Sequence, residues 1–423
     1  MRVLIRDVPA NVGSTVTVSG WIHRIRELGA VSFVLVRDRT GIVQVVYEGG
    51  VEFTLESVVT IFGDVVENPK APGGFEVKAT HTDVLAPAVA DLPIAVNQDP
   101  DAVGIDAILD NRIVSLRNPK IRSIFTVQST ILRLFAEFLR SEQFTEIKTS
   151  KLIGTGTEGG TGLFSVQYFD DTVYLAQSPQ FYKQTMVASG LERVFEIGAA
   201  YRAEKHDTPR HLNEYVSLDV EMAFIENEND LMDLECRLLQ HIVAGVNTEH
   251  HDILESWGIE PVDPEAIERI PRISHDDAKE IVSTALGRRV FELNPESERV
   301  LSDWARTEHG IDAVFVHGFP RKKRPFYTYP DGLKTRSFDL IFRGLEITTG
   351  GQRIHEYAML RDTLPKFGLT ENGLADYMQI FRYGCPPHGG FAIGLERLTQ
   401  KLLGLQNVKE ASLFPRDRRR TRP

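Results

Sequence analysis

Two arginine-bearing segments, far apart in the chain, constrain its fold more than any other feature of the sequence. The first, FEIGAAYRAEKHDTPRHLNEYVSLDVEMAF, alternates apolar and polar residues like a strand, breaks into a charged loop over 204–213, and resumes as a strand; it carries Arg202. The second, PPHGGFAIGLER, is a glycine-spaced strand running into an apolar helix, with Arg397 in the helix's first turn. A guanidinium is always charged and offers its donors as a planar fork, which suits the spread charge of a triphosphate. Neither segment is a GxGxxG turn, and the chain contains no GxxxxGK[ST] phosphate loop. The residues around these segments also lack a strand–helix–strand rhythm. They predict an α+β domain, an antiparallel sheet with flanking helices, in preference to a doubly wound parallel sheet.

A chain of 423 residues is too long for one ordinary core, and 42% hydrophobic residues supply enough apolar material for two or three. Residues 12–86 read as five short strands separated by turns (TVTVSGWIHRI, VSFVLVRD, IVQVVYE, VVTIFGDVVE, FEVKATHTDVLA), which predicts a small closed β-barrel over residues 1–88. Residues 89–118, rich in Pro, Asp and Ala at their start, read as a hinge or linker. From 119 to 423 the sequence reads as the second domain, opening on an amphipathic helix marked by Ile124, Val127, Ile131, Leu134, Phe135 and Phe138. The two cysteines, Cys236 and Cys385, lie far apart, which fits a reducing compartment and leaves no cysteine zinc site. Arg2, Arg6 and Asp7 occupy the place of a signal peptide's apolar core, and no stretch approaches the ~18 apolar residues of a membrane helix, so a cytoplasmic location is expected. A net charge of −11 argues against indiscriminate binding to nucleic acid but leaves room for a local basic groove. The one dense basic cluster is RDRRRTRP, with Arg416, Arg418, Arg419, Arg420 and Arg422; it reads equally as a solvated end or as a phosphate contact.

The two arginine segments resemble motifs 2 and 3 of the class II aminoacyl-tRNA synthetases. The barrel stretch GWIHRIRELGAVSFVLVRDRTGIVQVV resembles the anticodon-binding OB-fold of their aspartyl, asparaginyl and lysyl members. FTEIKTSKLIGTGTEGGTGLFSV resembles motif 1 and the mobile loop after it, with Ser150 where the family has proline. The octet QSPQFYKQ nearly reproduces the aspartyl pattern, and the resemblance runs from about residue 10 to residue 417. The stretch from Glu221 to Tyr383 is too short for the large insertion of the common bacterial aspartyl enzymes, so the chain resembles the compact archaeal type, which also occurs in some bacteria.

The resemblance implies roles residue by residue. Arg202 would bind the α-phosphate of ATP and Arg397 the γ-phosphate; Glu204 and His211 would approach adenosine or the tRNA end, and Tyr215 would stack on adenine unless it simply packs. Glu158 would close on the ammonium of L-aspartate, and Ser178 and Gln180 would bind its backbone end. Lys183, oriented by Asp219, and Arg353 would hold its side-chain carboxylate. Asp339 and Glu346, with Thr349 where the family often has serine, would hold Mg²⁺, a cation that favours one or two carboxylates plus phosphates and waters. In the barrel, Phe33 would stack on the anticodon, Gln44 read a base edge and Arg26 contact the stem or loop; read without the resemblance, Phe33 is as readily core and Arg26 a surface charge. His23 and Pro72 stand where strict enzymes carry a Trp or Gln and a Lys. His23 offers a donor or an acceptor through its tautomers, and Pro72 has no side-chain donor. This predicts aspartate charging of both tRNA-Asp and tRNA-Asn, with a tRNA-dependent amidotransferase as functional partner. Motif 1 implies a homodimer. Two other readings stand beside this one: an asparaginyl-tRNA synthetase, expected to lack the Lys183, Asp219 and Arg353 set, and a catalytically idle tRNA-binding relative. Residues 227–310 read only as scaffold.

Overall fold

The computed structural model describes residues 2–154, 156, 162–205 and 207–422. The chain divides into two compact units, one ending at Asn118 and one beginning at Pro119.

The first unit is the expected barrel. Strands β1 (Thr15–Leu28), β2 (Val31–Arg37), β3 (Ile42–Glu48), β4 (Val58–Glu67) and β5 (Phe75–Ala86) close in the order β1-β2-β3-β5-β4. Burial alternates along each strand, and the buried core consists of valine and isoleucine alone, from Ile5 and Val8 through Val34, Val36, Val43 and Val45 to Val77. β-Branched side chains are stiff and suit a pleated surface, so this composition specifies barrel rather than helix. The stretch 89–118, expected as a hinge or linker, carries helical turns α1 (Ile105–Asp110) and α2 (Arg112–Ser115) and belongs to this unit. Its Val96, Leu109 and Arg112 are buried, anchoring a segment whose Pro- and Asp-rich start hid them. Within the same unit Arg117 reaches Glu56 Oε2 at 3.1 Å.

The second unit is built on an eight-stranded sheet. Helix α3 (Pro119–Ser141) leads into β6 (Thr145–Glu146); β7 (Leu152–Ile153), β8 (Ser165–Tyr168) and β9 (Asp171–Leu175) form a small separate sheet. Helix α4 (Gln180–Met186) precedes the long hairpin β10 (Arg193–Tyr201) and β11 (Glu214–Ala223). Helices α5 (Glu228–Glu249) and α6 (His251–Ser256), strand β12 (Arg272–Ser274), helices α7 (His275–Leu286) and α8 (Pro295–His309) and strand β13 (Ala313–His317) follow. The short pair β14 (Pro330–Asp331) and β15 (Lys334–Thr335) leads to β16 (Ser337–Phe342) and β17 (Leu345–Arg353), then α9 (Tyr357–Thr363), α10 (Ala375–Arg382), β18 (His388–Gly394) and α11 (Leu395–Leu402).

The large sheet runs β12-β13-β16-β17-β18-β11-β10-β6 and is antiparallel except at its two outer pairs, β12·β13 and β10·β6. Helix α3 buries Ile124, Val127, Ile131, Leu134 and Phe135 at helical spacing against α5 and the sheet, with Phe138 half-buried beside them. Helix α5 is started by a reciprocal cap, Asn227 with Asp230. Among the described residues no helix is long and apolar enough to cross a membrane.

Candidate active site

The central strands β17, β18 and β11 and the loops beside them frame a cleft of about 1580 Å³. Arg202, Glu204, His211, Tyr215, Glu346, Thr349 and Arg397 all line it. Arg202 follows β10, where its N–H donates to Asn213 O at 2.8 Å and closes the base of the 203–212 loop; its guanidinium lies 5.7 Å from the Tyr215 ring centre. His211 sits 3.6 Å from Glu204 and shares a 2.6 Å hydrogen bond with Thr208. Arg397, in the first turn of α11, donates to Glu346 O at 2.8 Å and Arg210 O at 3.3 Å, so one side chain ties three segments together. The segment 227–310, expected to be mere scaffold, reaches this site: Glu298 of α8 binds Arg210 at 2.6 Å and accepts the Glu346 N–H at 2.9 Å. Glu396, beside Arg397, accepts the Val216 N–H, and burial pushes its carboxyl up to about 7.

Asp339 on β16 pairs across the ladder with Thr349 on β17, and a register shift nearby turns Glu346 toward the same spot. Thr349 Oγ1 donates to Asp339 Oδ1 at 2.8 Å and lies 3.4 Å from Glu346 Oε1. Burial, and then the charge of Glu346, push Asp339 up to about 6 although Arg324 binds it at 2.6 Å. Two carboxylates crowded on one hydroxyl are hard oxygen donors of the kind Mg²⁺ takes alongside phosphate oxygens. Among the described residues no three His, Cys, Asp or Glu groups converge as an all-protein metal cage would require.

Asp219 and Glu221, two and four residues along β11 from the cleft-lining Ser217, belong to a buried cluster of four charges. Lys183 Nζ lies 3.0 Å from Asp219 Oδ1 and 3.3 Å from Glu221 Oε2, with the Val220 and Phe391 carbonyls at 3.3 and 3.4 Å. Arg353, at the end of β17, donates Nε to Glu221 Oε1 at 3.0 Å and Nη2 to Gly390 O at 3.0 Å and Gln180 Oε1 at 3.3 Å. Burial opposes the charge of Glu221, yet Arg353 and Lys183 hold its carboxyl below the usual range. The cluster is balanced, two cations against two carboxylates. Gly390 makes room for it, since a Cβ there would stand 2.0 Å from Val220 O and 2.2 Å from Glu221 Oε2. Gln180 Nε2 is buried with no partner among the described residues, a donor waiting beside Arg353. Ser178 Oγ accepts the Gln180 N–H at 3.3 Å. Glu221 was not among the expected residues, although its spacing of two from Asp219 on one strand is the signal that places both on one face. His388 was also missed: its ring lies 2.8 Å from Gln184 Nε2 and 2.8 Å from Pro386 O, and burial lowers it to about 4. The expected Glu158 lies outside the described residues.

On the barrel, Arg26 and Phe33 are cross-strand partners, and Gln44, opposite Leu35, lies diagonal to Phe33 on the same outward face. Phe33 is half-buried and outside the barrel core. Gln44 Nε2 and Asn68 Nδ2 both donate to Glu76 Oε2, at 2.9 and 2.7 Å. Pro72 is exposed in the turn Pro72–Gly74. His23 sits at a bulge in β1, with Nδ1 2.8 Å from Arg37 Nη1; Arg37 in turn forks onto Glu56 at 3.0 and 2.8 Å. Burial and Arg37 lower the His23 pKa. A guanidinium only donates, so Nδ1 accepts and Nε2 carries the hydrogen. His23 therefore presents a donor, not the choice of donor or acceptor expected from the sequence.

The barrel and the sheet with its paired arginines are the two parts of a class II synthetase. Residues 104–418 match the family of tRNA synthetases class II (D, K and N), residues 16–85 match the OB-fold nucleic acid binding domain, and the chain belongs to that synthetase family. It is 49% identical over its whole length to the aspartate–tRNA(Asp/Asn) ligase of Thermus thermophilus, and the whole of that protein is covered. It is 41% identical to the aspartate–tRNA(Asp) ligase of Pyrococcus horikoshii, with 97% of each chain covered. The asparaginyl-tRNA synthetase of Pyrococcus horikoshii, solved with asparaginyl-adenylate, superposes with a TM-score of 0.93 at 30% identity over the full length of both chains.

Proposed function

We propose that the protein is a cytoplasmic, homodimeric aspartate–tRNA ligase that joins L-aspartate to ATP, releases pyrophosphate, and passes the aspartyl group to tRNA-Asp and tRNA-Asn. The observation that carries this reading is the buried Lys183–Asp219–Glu221–Arg353 cluster beside a cleft lined by Arg202 and Arg397. Lys183 and Arg353 hold donors in place for the substrate's side-chain carboxylate; Gln180 and Ser178 serve its backbone end, and Glu158 closes over the ammonium.

Attack of the aspartate α-carboxylate on the α-phosphate needs no covalent nucleophile from the protein. Arg202 holds the α-phosphate, Arg397 the γ-phosphate, and Tyr215 supports adenine, with Glu204 and His211 nearby. Alignment of the reacting atoms and charge stabilisation supply the rate. Asp339 and Glu346, with Thr349, would hold Mg²⁺, which when bound offsets the charge of the triphosphate. Phe33, Gln44 and Arg26 receive the anticodon on the barrel. The relaxed tRNA choice is supported by His23 and Pro72, and by the Asp/Asn name of the Thermus relative. It implies a tRNA-dependent amidotransferase that converts the aspartyl-tRNA-Asn.

Pyrophosphate exchange driven by aspartate and not by asparagine, followed by charging of pure tRNA-Asp and tRNA-Asn, tests the reading. Exchange driven by asparagine would make the protein an asparaginyl enzyme, and no exchange with either would leave a tRNA-binding relative.

A further inference from the structure

Residues 408–420 are not a loose end. The Val408 N–H donates to Pro209 O at 2.8 Å, and the Asn213 N–H donates to Arg416 O at 2.9 Å, so the segment is bonded to the middle of the 204–213 loop and to its far end. Arg416 also forms a β-bridge with Glu214. Between these points the largely buried Lys409 lies 2.7 Å from Asp207 of the loop and 2.7 Å from Asp417. Asp417, itself buried, accepts the N–H groups of Arg419 and Arg420 at 2.8 and 2.9 Å and so turns the chain. Arg418 and Arg419 stand exposed in that turn and Arg422 beyond it, and Arg419 lies 3.9 Å from Asp207. Lys205, exposed on the loop, lines the cleft. In a chain of net charge −11, arginines held beside a loop that lines the cleft stand out.

We infer that residues 408–420 are a clasp that holds Arg418 and Arg419, with Arg422 following, beside the 204–213 loop, as a contact for the phosphate backbone of the tRNA end entering the cleft. This rests on the tRNA-ligase reading. The clasp supplies what a solvated basic end lacks: a defined position, set by one buried lysine between two carboxylates. Phosphate contacts position a nucleic acid without reading its sequence, which suits an acceptor end presented to a cleft.

The test compares wild type with the triple variant Arg418→Ala, Arg419→Ala, Arg422→Ala and with Asp417→Asn, which keeps every arginine but weakens the clasp. Aspartate-driven pyrophosphate exchange, which needs no tRNA, reports fold and active site in each. The triple variant should keep exchange within about twofold and lose about tenfold or more in kcat/KM for a tRNA-Asp transcript, through KM. Its plot of log kcat/KM against log salt should flatten by about 2 to 3 units for three lost phosphate contacts. Asp417→Asn should also raise the tRNA KM. An unchanged KM and salt slope in the triple variant would overturn the contact, and an unchanged KM in Asp417→Asn would overturn the clasp. Absence of aspartate-driven exchange in wild type would instead refute the ligase reading on which both rest.

Discussion

Arg353, proposed as a partner of the substrate carboxylate, also neutralises a fully buried carboxylate, so its replacement should show in stability as well as in activity. Removing its guanidinium leaves Glu221, whose side chain is wholly buried, with only Lys183 as an ion-pair partner among the described residues, and Asp219 already shares that lysine. Breaking such a pair by deleting one partner costs about 3–5 kcal/mol, mostly the penalty of the charge left behind. Arg353→Met should lose that much in urea unfolding, and Glu221→Gln a similar amount, because it leaves two cations against Asp219 alone. The double variant restores balance, Lys183 against Asp219, and should recover to within about 2 kcal/mol of wild type, a coupling well outside additivity. Gln is chosen at 221 because it keeps the shape of the glutamate that packs closely against Gly390, where an added Cβ would stand 2.2 Å from Glu221 Oε2. Aspartate-driven exchange should stay down by about 100-fold or more, about 2.7 kcal/mol, in both Arg353 variants. Stability that returns while activity does not separates the two roles. Additive stability losses, or near-normal exchange in Arg353→Met, would refute the reasoning.

Glu346→Ala should slow activation and raise the Mg²⁺ concentration needed for half-maximal exchange; a titration matching wild type would make the Asp339–Glu346 pair structural. Glu235 is fully buried on α5, and burial pushes its carboxyl up to about 8. The stability this group supports is complete below about pH 4.5 and is lost as pH rises toward 8, at up to about 1.4 kcal/mol per pH unit. Glu235→Gln should flatten that fall in unfolding measured across the same window. For the two tRNAs, kcat/KM should differ by less than about 100-fold, about 2.7 kcal/mol, because the hydrogen on His23 Nε2 suits the O2 acceptor that C and U share. Pro72→Lys together with His23→Gln should widen the ratio in favour of tRNA-Asp.

The sequence was most informative where a local pattern and a packing requirement coincide. Alternating valine and isoleucine announced the barrel, and helical spacing of Ile124, Val127, Ile131 and Leu134 announced α3. Arg202 and Arg397 could be read because each follows a strand whose pattern sets where it ends, and both line the cleft. Glu298 could not: it reaches Arg210 across 88 positions, and no local period marks a helix residue for a partner so distant. Glu221 was legible in principle from its spacing to Asp219, but a glutamate in a strand reads as an exposed charge until its cations are seen around it. The tautomer of His23 depends on Arg37, fourteen residues away and itself fixed by Glu56, so it is a property of the folded barrel alone. Residues 89–118 misled through composition, since proline and aspartate at the start concealed Val96 and Leu109.

The balanced cluster also changes how an acid is to be told from its amide. Two bare cations would attract any anion, and added salt would weaken that attraction. In this cluster each cation is already paired with a carboxylate inside the protein, so the desolvation of Lys183 and Arg353 is met on folding and not on binding. What remains for the proposed substrate is a set of donors fixed in direction, which would favour a side-chain carboxylate through preorganisation. The backbone alone does not make that choice, because a protein solved with asparaginyl-adenylate superposes at a TM-score of 0.93. Buried pairs are screened far less than exposed ones. The ratio of kcat/KM in exchange for aspartate over asparagine should therefore move by less than about twofold between about 50 and about 300 mM salt, while tRNA charging falls steeply over the same range. A selectivity that collapses with salt would mean that long-range attraction makes the choice, and that the cluster opens to solvent when substrate enters.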